Sequence, residues 1–80
     1  MERTELMDCL QKIFREIFDN NDIILTDSTC AEDIEEWDSL GHVQLIKALE
    51  ESFNIKLTAR EMRSWENVGE MADALLTKIK

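Results

Sequence analysis

Few side chains in this sequence can do chemistry beyond its many carboxylates. Two cysteines, Cys9 and Cys30, a single histidine, His42, and four serines supply the nucleophiles and the imidazole. A metal site or a Cys–His nucleophile needs these groups at close, patterned spacing, and Cys9, Cys30 and His42 show none. We therefore expect no metal site and no catalytic residue. His42 reads as a surface residue, Cys9 as a free thiol on a helix face and Cys30 as a free thiol in a loop. Ser39 stands apart from Ser28, Ser52 and Ser64. It sits between Asp38 and Leu40, where an acidic stretch gives way to an amphipathic one. Taken alone, Asp38-Ser39-Leu40 reads as a helix cap, because Asp and Ser are preferred there. A serine at that place is also exposed, and the backbone N–H groups of a helix start favour an attached phosphate.

The elements that position Ser39 follow from helical periodicity. Leu6, Leu10, Ile13, Phe14, Ile17 and Phe18 recur every three or four residues, which predicts a first helix over 4–18 capped by Thr4. Residues 19–38 then form a long connection holding eight acids and no Lys or Arg. Ile23, Ile24, Leu25, Ile34 and Trp37 are its expected anchors on the core. A second helix should run from Asp38-Ser39 to Phe53. Its expected buried stripe is Leu40, Val43, Ile46, Leu49 and Phe53, with Leu45 on the flank and Asn54 as a left-handed terminator. Ile55-Lys56-Leu57 is an extended link. Thr58-Ala59-Arg60-Glu61 is a capping box that opens a short helix towards Trp65. Asn67 caps a last helix whose inward face is Val68, Met71, Ala72, Leu75 and Ile79. The expected fold is all-α: a small four-helix bundle with three longer helices, one short helix and a long loop after the first.

Size and charge narrow the function. Eighty residues make one domain at most, with little room for a catalytic cleft. Eighteen acids against nine bases give a net charge of −9, which repels nucleic-acid backbones and suits basic patches on other proteins. The apolar runs are too short to span a membrane, and the N-terminus lacks a secretory pattern, so a cytoplasmic monomer is expected.

The stretch Glu36-Trp37-Asp38-Ser39-Leu40-Gly41-His42-Val43-Gln44-Leu45-Ile46 resembles the modification site of acyl carrier proteins. The resemblance continues through Ala48–Leu57, and Asn67-Val68 falls where that family starts its last helix. It implies a carrier domain rather than an enzyme. Ser39 would bear a covalent 4'-phosphopantetheine arm taken from coenzyme A, whose thiol holds acyl groups as thioesters. The implied partners are a phosphopantetheinyl transferase and acyl-loading and acyl-processing enzymes with basic docking surfaces. The implied docking residues are Glu35, Glu36, Asp38, Leu40, Val43, Glu50 and Glu51. Fatty-acid, polyketide and related pathways all fit, and the apolar interior is a candidate shelter for part of a long acyl chain.

The sequence also departs from the pattern of that family. Many bacterial fatty-acid carriers place acids where this chain has Gly41 and Gln44, and small residues where it has Trp37. Two other readings stay open from the residues alone. One is a carrier of activated amino acids, of the D-alanyl or peptidyl type. The other is an acidic helical adaptor in which Ser39 is only a cap.

Overall fold

The computed structural model describes residues 2–79. Four α-helices follow one another: α1 (Arg3–Ile17), α2 (Ser39–Phe53), α3 (Ala59–Ser64) and α4 (Val68–Lys78). A single 3₁₀ turn, Ala31–Asp33, punctuates the connection between α1 and α2. The described residues contain no strand and no helix long and apolar enough to cross a membrane. The expected all-α fold, three longer helices and one short one, is thus present.

The core forms where three amphipathic faces meet. α1 packs against both α2 and α4. Leu6, Leu10 and Phe14 of α1 are fully buried, as are Leu45 and Leu49 of α2 and Val68, Met71, Ala72 and Leu75 of α4. No α3 residue is buried. The long connection closes the bundle through Phe18, Ile23, Leu25, Ile34 and Trp37. Ile24, an expected anchor, instead points outward at 72% exposure, because neighbouring residues of an extended segment face opposite ways.

The helix ends follow local side-chain chemistry, with one exception. Thr58 and Glu61 exchange hydrogen bonds as a capping box, and Asn67 accepts from the Glu70 amide. Asn54 ends α2 in the left-handed conformation, with φ 54°. Thr4 does not cap α1: the helix starts one residue earlier, with Glu2 at the cap position and no side-chain cap bond. Arg3 fixes that end instead. Its guanidinium binds Asp27 at 3.0 Å, Asp73 of α4, and the Gly69 carbonyl at 3.3 Å. The acidic connection therefore does have a basic partner, supplied from α1. The bond to Asp27 is the largest of the effects that hold the Arg3 pKa above its ordinary value.

Candidate functional site

Ser39 is the first residue of α2, and the structure separates its role from capping. The cap is Asp38, whose Oδ1 accepts the Gly41 N–H at 2.8 Å while its carbonyl accepts the His42 N–H at 2.8 Å. The amides of Ser39 and Leu40 stand in the first helical turn, where no intrahelical acceptor exists. Ser39 is exposed. Its hydroxyl is thus presented to solvent at the positive end of a helix dipole.

Gly41 sets how closely the preceding loop can approach. A Cβ there would lie 2.4 Å from the Glu36 carbonyl oxygen and 2.9 Å from Cε1 of Phe18. Only a residue without a side chain lets the turn at Glu35–Trp37 rest on the first turn of α2. The absence of an acid at this position, a departure seen in the sequence, is therefore a packing requirement.

The turn delivers Trp37 into the core edge. Trp37 is 7% exposed and meets Phe14 edge-on, with ring centroids 5.0 Å apart at 88°. Its indole N–H donates to His42 Nδ1 at 2.9 Å. With Nδ1 accepting, the imidazole proton resides on Nε2, which donates to the Met62 carbonyl of α3 at 3.1 Å. His42 is thus a half-buried bridge between loop, α2 and α3, and not the surface residue expected from sequence. The signal was present: a buried indole N–H needs an acceptor, and His42 lies five residues on. An open groove of about 480 Å³ runs beside this bridge, bordered by Ser39, Trp37, His42, Met62 and Trp65.

The expected docking residues divide into two groups. Glu35, Glu36 and Asp38 are exposed just before Ser39, and Asn20 bonds Glu36 at 3.2 Å. Leu40 and Val43 are 69% and 64% exposed, which corrects their place in the buried stripe. Helical geometry gives the reason: at about 100° per residue, each three-residue step rotates back by about 60°, so Leu40 lies about 120° from Ile46. The buried face is Gly41, Leu45, Ile46 and Leu49. Phe53 is half-buried. Glu50 and Glu51 sit apart from this cluster, about 17 Å along the helix from Ser39. Glu51 is exposed, but Glu50 is half-buried and accepts the Leu57 N–H at 2.9 Å, holding the link after α2.

Among the described residues no group of three or more His, Cys, Asp and Glu is placed to hold a metal ion. Both cysteines are free and half-buried, with the Cys30 thiol donating to Asp33 at 3.5 Å.

No curated protein matches the chain. The family model described as "Phosphopantetheine attachment site" matches residues 5–75. Among solved structures, the solution NMR structure of a holo acyl carrier protein from Geobacter metallireducens is similar at 44% identity and a TM-score of 0.85, over 90% of this chain and 83% of that one. Helical order, an uncommitted serine at the start of α2 and these two matches agree: the chain belongs to the phosphopantetheine-attachment family, non-enzymatic carriers of a covalently bound 4'-phosphopantetheine.

Proposed function

We propose that this protein carries acyl intermediates as thioesters on a phosphopantetheine arm at Ser39. It would pass them between enzymes of fatty-acid, polyketide or related biosynthesis. The observation that carries the assignment is the division of labour at the start of α2: Asp38 caps the helix, and Ser39 stands exposed beside it. The residues fit the group. The free first-turn amides and the helix dipole favour a phosphodiester at Ser39 Oγ, and the adjoining groove leaves space on one side. When bound, the arm supplies a terminal thiol for thioester exchange.

Partner recognition follows from the same end of the molecule. Glu35, Glu36 and Asp38 place negative charge beside Ser39, and Leu40 and Val43 offer exposed apolar contact next to it. We assign this patch to docking on a phosphopantetheinyl transferase and on acyl-loading and acyl-processing enzymes with basic rims. Glu51 remains an outlying docking residue, while the bond from Glu50 to Leu57 supports a structural role. Incubation with coenzyme A and a broad-specificity phosphopantetheinyl transferase, followed by intact mass measurement, tests the proposal. The wild type should gain one arm and Ser39→Ala none. An arm on Ser39→Ala would overturn the assignment.

A further inference from the structure

The exposed face of α2 carries one charge opposite in sign to its surroundings, and what that charge selects rests on the carrier reading above. Lys47 is the only Lys or Arg between Arg15 and Lys56, a stretch rich in Asp and Glu. It is exposed, and among the described residues it forms no ion pair. Glu51 follows four residues on without pairing to it, and Lys before Glu is the weaker order at that spacing. At about 100° per residue, Leu40, Val43, Lys47 and Glu51 fall within a sector of about 80°, so they form one ridge along the helix. At about 1.5 Å per residue, Lys47 stands about 12 Å along the axis from Ser39, with Glu51 a turn beyond. From the Ser39 end the surface is therefore negative at Glu35, Glu36 and Asp38, apolar at Leu40 and Val43, positive at Lys47 and negative again at Glu51. An open hollow of about 360 Å³ lies beside Lys47, bordered by Ile17, Ala48 and Glu51, so a partner's side chain has space to reach the ammonium group.

We propose that Lys47 is a specificity-determining residue for docking: it selects enzymes that bear a carboxylate opposite the third turn of α2 and rejects those that are basic along the whole helix. The matching surface is basic at the entrance that receives Ser39, apolar beside it and acidic about 12 Å further along. A uniformly basic surface is drawn in by the net charge of −9 but meets like charge at Lys47. Repulsion of this kind discriminates between partners without adding a contact to the right one. The alternation of sign also fixes the register. A matching partner shifted one turn towards the end of α2 sets its carboxylate against Glu51 and its apolar patch against the Lys47 ammonium, which loses water without gaining a partner.

The test uses the full chain, coenzyme A and a phosphopantetheinyl transferase of known structure whose carrier-binding surface is basic throughout, with kcat/KM for arm transfer read by intact mass. Wild type is compared with Lys47→Gln, Lys47→Glu and Lys56→Glu. Lys56→Glu makes the same change in net charge as Lys47→Glu but off the ridge, on the exposed link after α2. Lys47→Gln should be faster than wild type and Lys47→Glu faster still, by roughly tenfold at about 0.05 M salt, with the gain shrinking towards about 0.5 M. Lys56→Glu should stay within about twofold of wild type. With a transferase variant whose basic residue facing the third turn is replaced by Glu, the order should invert, wild type now exceeding Lys47→Glu. Three results would each overturn the proposal: either Lys47 variant no faster than wild type with the basic transferase, a gain from Lys56→Glu as large as that from Lys47→Glu, or an order that does not invert with the transferase variant. Wild-type protein that gains no arm at any salt concentration would instead overturn the carrier reading itself, and this inference with it.

Discussion

Adding one methyl group at Gly41 should destabilise the protein, although the same change stabilises most helices. At an ordinary helical position Gly→Ala gains about 0.5–1 kcal/mol, because the unfolded chain has less freedom to lose. Gly41 is inside α2 and its backbone is right-handed, so that gain applies. Against it stands contact. The new Cβ would lie 2.4 Å from the Glu36 carbonyl oxygen. Carbon–oxygen contacts normally settle at about 3.3–3.6 Å, so the overlap is roughly 1 Å. Phe18 gives no room on the other side, because its buried ring lies 2.9 Å from the new Cβ and meets Phe14 edge-on. The turn at Glu35–Trp37 must therefore lift. Overpacking of this kind costs about 1–3 kcal/mol, which outweighs the helical gain over most of its range. We expect Gly41→Ala to lose about 1–2 kcal/mol in urea denaturation, and about 4–8 °C of melting temperature per kcal/mol. Lifting the turn also moves Asp38 and Ser39, so arm transfer should slow. Gln44→Ala, exposed on the same helix, serves as the control and should stay within about 0.5 kcal/mol of wild type. A Gly41→Ala protein as stable as the wild type, or more so, would refute the close-approach argument.

Asp38→Ala should cost about 0.5–2 kcal/mol through the lost cap, whereas Ser39→Ala should stay within about 0.5 kcal/mol while abolishing arm transfer; equal costs in thermal melts would contradict the division of roles. Leu49→Ala removes a fully buried side chain and should cost about 2–5 kcal/mol in urea titration, a near-wild-type midpoint being the contrary result. Reversing the charge of Glu35 and Glu36 should slow arm transfer more than reversing Glu2 and Glu5, and the difference should fade with added salt; identical rates would reduce docking to nonspecific attraction. Glu61 bonds Lys78 and the Thr58 amide, which hold its pKa below the ordinary 4.5. A carboxylate lowered in this way contributes stability above its unfolded pKa and loses it as the pH falls through the folded value. The advantage of wild type over Glu61→Gln should therefore be present at neutral pH and disappear below the glutamate range in pH-dependent melts.

Much of this molecule was legible in the sequence where the determining forces are local. The caps at Asp38, Thr58 and Asn67, the left-handed Asn54 and the helix order all follow from side chains acting on backbone within a few residues. The proposal of Ser39 as the attachment point came instead from the resemblance of residues 36–57 to a known family, because Asp38-Ser39-Leu40 alone reads only as a cap. What escaped depends on contacts distant in sequence or on helical phase. The spacing 40–43–46 looked like a stripe but winds around α2, so two residues expected in the core stand outside it. The His42 bridge needs Met62, twenty residues away, and the necessity of Gly41 comes from a loop carbonyl and a ring on Phe18. The cap of α1 was misread because its start is fixed by Arg3 reaching Asp27 and Asp73, which no local pattern announces.

α3 contributes no buried residue, and it is held by the His42–Met62 bond, the Lys78–Glu61 ion pair and the packing of half-buried Met62 against the core. Such a helix can open without unfolding the other three. Amide hydrogens of α3 should accordingly exchange with solvent through local openings of low free energy, while those of Leu10, Phe14, Leu49 and Leu75 wait for global unfolding. The molecule then has two clocks. A fast one, governed by one imidazole, one ion pair and one half-buried methionine, acts on the groove beside Ser39, and a slow one, governed by the packed leucines, acts on the rest. A partner that gripped α3 could remodel the surroundings of Ser39 while the fold itself stayed intact.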